Sequence, residues 1–184
     1  MSRKYKIRDQ DGLYFVTFTV IYWIDVFIRD PYRLTFLNSV KHCQHNKGLD
    51  VYAYCIMPSH IHMILGNCGT LLLEGIVRDF KSFTSRTIRK LLEENEVGGS
   101  RKEWMLRMMY REGKYNPSNN DFQFWQQHSH PIELNTNVMI EQKLEYIHQN
   151  PVSAGFVDEP EAWLYSSARD YAGRGKGFLD LVFI

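Results

Sequence analysis

The sequence predicts an α+β fold, an antiparallel sheet with packed helices in a ferredoxin-like or RRM-like sandwich. Three observations point there. Short stretches rich in β-branched and aromatic residues recur, among them "LYFVTFTV" and "VYAYCIM". Longer segments with helical periodicity separate them. The resulting order, β-α-β-β-α-(α)-β-α, suits a sheet whose strands return beside one another under helices.

"LYFVTFTV" alternates Phe15 and Thr17 with Val16 and Phe18, the pattern of a strand. "DPYRLTFLNSVKHCQHNKGLD" follows as a helix, with Asp30 as N-cap, Pro31 at the first helical position and Gly48 past the end. "VYAYCIM" gives a second strand, closed by the turn residues Met57-Pro58-Ser59, and "HIHMILG" a third, hairpinned to the second. Residues 71–95 read as a long helix. Ile76, Phe80, Phe83, Thr87 and Leu91 share one face, and Arg78, Lys81, Ser85 and Arg89 form a stripe on the other. "EVGGS" breaks it. "SRKEWMLRMMYREG" is a shorter helix, with Ser100 and Glu103 spaced as a capping box and Trp104, Met105, Met108 and Met109 spaced for packing. "KYNPSNND" is a loop, "FQFWQQH" the expected fourth strand, and "HPIELN" runs on to a turn. In "FQFWQQH", Trp125 is open to packing or to stacking on a ligand. "NVMIEQKLEYIHQN" is a further helix reaching Pro151, and the aromatics of "EAWLYSSARDYAG" are expected to pack back on the core.

A chain of 184 residues suits one domain over 1–184, with 1–10 as a flexible basic arm. The composition is ordinary for a globular protein: 44% hydrophobic, 23% charged, net charge +1. Charge is uneven along the chain, however. "RKYKIR" carries Arg3, Lys4, Lys6 and Arg8 with no acid, so a near-neutral protein can still present a basic face. The three cysteines fit no zinc or redox spacing, which suits a reduced, cytoplasmic protein. The apolar stretch "LYFVTFTVIYWIDVFI" is too short to span a bilayer and contains Asp25, so no membrane association is expected.

Two short segments carry chemistry. Residues i and i+2 of a strand point to the same side, so His60 and His62 project together, with Ile61 and Met63 on the opposite face. Two imidazoles so placed can chelate one divalent ion if a third ligand comes from elsewhere. An isolated pair of this kind is also what a core histidine beside a solvated one looks like. In "KLEYIHQNP", Tyr146 and Asn150 share a helix face. The tyrosine offers a nucleophilic hydroxyl. The asparagine offers a neutral oxygen suited to a hard ion such as Mg²⁺ or Mn²⁺. A free phenol has a pKa of about 10, so attack on a phosphate needs help, which a metal on that phosphate supplies. Residues before proline avoid the α region, so a distorted helix end is expected at Asn150, with Gln149 as the fallback ligand. His148 points away from Tyr146 on a regular helix.

"MPSHIHMIL" resembles the metal-binding segment of the HUH nucleases, and "YIHQNPVSAGFV" with "WLYSSARDYAG" resembles the C-terminal signature of the REP-associated tyrosine transposases, within the IS200/IS605-type Y1 superfamily. The resemblance runs through "YFVTFTVIYWIDVF", "RDFKSFTSRTIRKLL", "SRKEWML" and "FWQQHSHPIEL", in family order. It implies a metal-dependent single-stranded DNA endonuclease and strand transferase acting on hairpin DNA. Tyr146 would form a 5′-phosphotyrosine link, and His60, His62 and Asn150 would hold Mg²⁺ or Mn²⁺. His128 and His130 depart from the family's usual polar residues and are not assigned as ligands. The expected assembly is a monomer or a homodimer, with the site closed within one chain or across two.

Single-strand binders combine backbone-tracking cations with aromatic stacking. Arg78, Lys81 and Arg89, flanked by Arg86 and Lys90, form a candidate phosphate track, and the arm with Arg3, Lys4, Lys6 and Arg8 gains order on DNA. A solvated helix face explains the same stripe equally well. Two other functions fit the residues: an RRM-like binding module that does not cut, and a hydrolytic metallonuclease in which Tyr146 is a bystander.

Overall fold

The computed structural model describes residues 7, 9–94, 101–116, 121–127 and 130–184. Arg3, Lys4, Lys6, Arg8, Ser100 and His128 therefore lie outside the described residues.

Four strands form one antiparallel sheet: β1 (Tyr14–Thr19), β2 (Leu49–Ile56), β3 (His60–Asn67) and β4 (Ile132–Glu133), in the order β2-β3-β1-β4. The helices are α1 (Asp30–Lys47), α2 (Leu73–Glu94), α3 (Lys102–Tyr115), α4 (Asn137–Ser153) and the short α5 (Ala168–Tyr171). Strand pleating sorts the side chains into two cores. Val16, Phe18, Ile61, Met63 and Leu65 pack with Phe36 and Val40 of α1 and with Ile76, Phe80 and Ile88 of α2. Phe15, Ala53, Cys55 and Ile64 point the other way and pack against Ile147 of α4. The sheet is thus covered on both faces, and β3, buried along most of its length, is nearly continuous in apolar residues apart from its two histidines.

Several sequence expectations are corrected. Asp30 is the first helical residue of α1 rather than its cap, and its carboxylate accepts hydrogen bonds from Arg33 (2.8 Å) and the Tyr165 hydroxyl (2.6 Å). Gly48 does end α1, in a left-handed conformation at φ 73°. Residues 122–127 do not form the fourth strand; they touch the sheet through a single bridge between Val20 and Trp125. Phe122, Gln123, Phe124 and Trp125 are all buried in succession, without a strand's alternation, and Gln123 N–H bonds to Met109 of α3 instead. Trp125 packs rather than stacks on a ligand: it lies on Phe27 (centroids 5.7 Å) and donates to Thr84 Oγ1 (3.1 Å).

On α2 the buried face runs through Ile76, Phe80, Thr84, Ile88 and Leu92, and Phe83 is turned out to solvent. Thr84 tolerates burial because its hydroxyl donates to the Phe80 carbonyl (2.8 Å). On α3, Met105 and Met109 are buried as expected, but Trp104 is exposed beneath Arg101. Ile7 sits in the main core, an anchor inside the stretch expected to be a free arm. Among the described residues, no helix is long and apolar enough to cross a membrane.

Gly113 of α3 allows residues 121–122 to cross at close range, since a Cβ there would lie 2.3 Å from the Asp121 carbonyl carbon and the Phe122 nitrogen. Gly113→Ala is expected to destabilise the fold by about 1–3 kcal/mol through this overpacking. A lowered urea midpoint, with an unchanged dependence on denaturant, checks it.

Candidate active site

The pairing of β1 with β3 sets Thr17 opposite His62 and Thr19 opposite His60. Thr17 Oγ1 lies 2.9 Å from His62 Nδ1, and Ser59 Oγ lies 3.2 Å from His60 Nδ1. Both imidazoles are therefore held at Nδ1 by a hydroxyl. Their ring centroids are 4.8 Å apart. Phe15 stacks along His62 at 5.5 Å, so the inner ring is fixed from the side as well.

Helix α4 covers this face. Its start is capped by Thr136, whose side chain accepts from Met139 N–H. Burial of Ile147 turns the neighbouring residues onto the histidines. The Tyr146 ring lies 5.1 Å from that of His62 and meets the Phe15 ring edge-on at 5.9 Å. Asn150 faces the His60 side chain, close enough to raise its pKa. The distortion expected at Asn150 does not occur, because α4 continues helically through Pro151 to Ser153. Pro151 removes one backbone hydrogen bond, and α4 nonetheless stays helical across it. The fallback ligand Gln149 takes a half-buried position one residue round the helix, and the residue that acts on the His60 pKa is Asn150. His148 is directed elsewhere, buried against Ser167 Oγ (2.9 Å) and Tyr171.

Burial sets the charge state of the pair. His62 is 4% exposed. Its pKa is pushed down to about 3, first by desolvation and then by the neighbouring His60 and Lys143. Burial lowers His60 too, opposed by the neighbouring Asn150. His62 is thus a neutral ring with lone-pair capacity at ordinary pH, the form a metal ligand takes. Its Nε2 is buried with no hydrogen-bond partner. In the tautomer whose Nδ1–H donates to Thr17 Oγ1, the free lone pair sits on Nε2. An orphaned, neutral nitrogen beside a second imidazole and an amide oxygen fits a divalent ion. Among the described residues no group of three His, Cys, Asp or Glu side chains assembles, and the neutral side chain beside the two imidazoles is that of Asn150. His130 takes a left-handed backbone before Pro131.

Three residues join the site that sequence reasoning missed. Lys143 places Nζ 5.4 Å from the Tyr146 ring and 4.7 Å from the Phe15 ring. Its spacing from Tyr146 on one helix was a readable signal. Thr17 required the strand register. Trp23, 5.2 Å from His60, required a turn with unusual backbone angles.

The basic stripe is elsewhere. Arg78, Lys81, Arg86 and Arg89 line a groove of about 620 Å³ with Phe122 and Trp125, on the α2 side of the sheet. Lys81 lies over the Phe18 ring at 5.7 Å, and burial pushes its pKa down to about 8. Arg89 pairs with Glu93, and Lys90 pairs with Glu94.

This architecture has a counterpart among solved structures. A REP-associated tyrosine transposase bound to a REP hairpin shares the fold at a TM-score of 0.67 and 15% identity, covering 99% of this chain and 94% of that one. The model of the family "Transposase IS200 like" matches residues 11–110, which include both histidines, β1, β3 and α2. The chain belongs to this IS200-like transposase family, whose members are DNA transposases. No curated protein matches it.

The buried imidazoles make stability depend on pH. His62 and His148 have folded pKa values of about 3 and about 4, below an unfolded value of about 6.5. Their contribution is fully present above pH 6.5 and is lost as pH falls toward those folded values. Urea unfolding between pH 8 and 4.5 is expected to show stability falling on the acid side, with a shallower fall in His148→Asn.

Proposed function

We propose that the chain is a metal-dependent, single-stranded DNA endonuclease and strand transferase, one domain over residues 1–184, working on hairpin DNA in the cytoplasm. The observation that carries this reading is the placement of the Tyr146 ring 5.1 Å from a buried histidine whose Nε2 has no partner. A structural or purely binding role for His62 gives that nitrogen nothing to do, and leaving a buried polar atom unpaired costs about 1–3 kcal/mol.

In this reading the Tyr146 oxygen attacks a DNA phosphate. A bond forms between that oxygen and phosphorus as the phenol gives up its proton, the bond to the 3′-oxygen breaks, and the leaving oxygen takes up one proton as a free 3′-OH, so the proton count is unchanged. The 5′-phosphotyrosine link retains the phosphodiester energy, so a second 3′-OH can reverse the step and join a new strand. His60, His62 and Asn150 would hold Mg²⁺ or Mn²⁺, which when bound supplies charge stabilisation at the phosphate and at the leaving oxygen. Thr17 fixes the His62 ring so that Nε2 faces the site. Phe15 and His62 together limit the swing of the Tyr146 ring. Lys143 brings a positive charge to the side of the nucleophile, where an incoming phosphate needs it. The neighbour's REP hairpin supports a hairpin substrate here as well. Arg78, Lys81, Arg86 and Arg89 would follow the backbone of that DNA on the far side of the sheet, joined by Lys90 and by the N-terminal Arg3, Lys4, Lys6 and Arg8.

Incubation with hairpin DNA carrying a single-stranded flank and Mn²⁺, followed by denaturing electrophoresis, tests the reading. The expected result is a covalent protein–DNA band that disappears in Tyr146→Phe. Cleavage persisting in Tyr146→Phe points instead to a water-activating nuclease, and binding without cleavage to a non-catalytic module. Lys143→Met is expected to slow adduct formation by about 10–100-fold, the size typical of losing one charge aimed at a transition state, while its thermal melt stays close to that of the unaltered protein.

A further inference from the structure

Beside the histidines, residues 20–24 make a turn that throws two large aromatics outward. Tyr22 and Trp23 take consecutive left-handed backbone angles, φ 52° and 56°, which bulky L-residues rarely adopt. The turn is held from both sides. Val20 N–H bonds to the Ser59 carbonyl at 2.9 Å, and Ile21 N–H to the Phe124 carbonyl at 2.9 Å. Ile21 and Ile24 are buried at 2% exposure each, and the Tyr22 hydroxyl bonds to Glu112. Burial does not repay the strain at Trp23, which remains 58% exposed. Strain that persists without a packing reward points to function.

The position is specific. Trp23 meets the His60 ring at 5.2 Å, on the rim of the site. On its other side opens a pocket of about 610 Å³, lined by Tyr22, Trp23, Tyr115, Gln126 and Gln127, with Glu112 as its charged residue. Among the described residues its lining is aromatic and amide-rich, with no lysine or arginine. The side-chain amides of Gln126 and Gln127 make no hydrogen bond among the described residues, so they keep donor and acceptor groups for a ligand. Exposed aromatic faces beside free amides fit an unpaired nucleobase, which stacks on one and bonds its edge to the other.

We propose that Trp23 is a stacking platform for the unpaired base next to the scissile phosphate, and that Gln126 and Gln127 read that base's edge. The phosphate then lies toward the histidines and Tyr146, and the base turns away into the pocket. Trp23 and the glutamines act here as positioning residues that decide which phosphodiester bond is presented. This deepens the reading of the site as a single-strand DNA cleavage centre and rests on it.

The test uses the full chain carrying Tyr146→Phe, so that binding is read without chemistry. A labelled hairpin with a single-stranded flank is titrated by fluorescence anisotropy, with an abasic residue placed at each flank position in turn. Trp23→Ala is expected to weaken binding about tenfold, the scale of losing one base–aromatic stack, and Trp23→Phe to restore most of it. At one flank position the abasic substitution should remove the difference between the Trp23 and Trp23→Ala proteins, and base preference at that position should relax in Gln126→Ala with Gln127→Ala. Equal affinities for the Trp23 and Trp23→Ala proteins, or losses that simply add at every abasic position, would overturn the proposal. The covalent-adduct experiment fails separately: if it gives no adduct while the Trp23 effect persists, the platform stands and the cleavage reading falls.

Discussion

The docking of α4 on the second face of the sheet is the constraint on which the site depends. Ile147 is completely buried among Phe15, Ala53, Cys55 and Ile64, and its transfer from water is worth about 1.5–3 kcal/mol. With Met139, Ile140 and Leu144 packed against the same cluster, that insertion sets the rotation of the helix about its axis. Side chains three and four residues apart lie on one face, so anchoring residue 147 commits Lys143, Tyr146 and Asn150 to the same side. Each then meets what β1 and β3 present: Phe15, His62 and His60. A helix rotated by one residue would bury Tyr146 and turn Asn150 away, so fold stability and site geometry rest on the same contact.

The same burial shapes the chemistry. A sheet covered on both faces leaves little water around its inner histidine, so burial holds His62 neutral at ordinary pH. A neutral imidazole has one unprotonated nitrogen, and in the tautomer whose Nδ1–H donates to Thr17 Oγ1 that nitrogen is Nε2. Tyr146, in contrast, is 47% exposed, accessible to a large substrate from outside while its ring is braced from below. The site thus has a dry half that organises the ligands and a wet half that receives the nucleic acid. The aromatic rim at Trp23 stands at the border between them.

Much of this was legible in the sequence because it follows from short-range periodicity. The strand parity that puts His60 and His62 together, the helix spacing that puts Tyr146 and Asn150 together, and the glycine that ends α1 are all local rules, and each holds. The misses come from tertiary packing. The run from Phe122 to Trp125 looks like a strand by composition, but it is buried against α2 and α3 rather than paired with the sheet. Phe83 belongs to a plausible helical face, yet the core selects the neighbouring stripe through Thr84, which no hydrophobicity pattern favours. The bias of a residue before proline gave way at Asn150 to a helix whose packing carries it one turn further. Trp23 had no local signal at all, since its outward direction depends on a left-handed turn fixed by distant backbone groups.

The central claim is that one chain supplies both the histidines and the tyrosine of a single site. Mixing His62→Ala protein with Tyr146→Phe protein tests it most directly, with covalent adduct formation on hairpin DNA as the readout. Each variant keeps the half that the other lacks. The geometry predicts that the mixture remains inactive, because no chain carries His62 and Tyr146 together. Adduct formation restored by mixing would contradict it, by showing that the histidines of one chain serve the tyrosine of another.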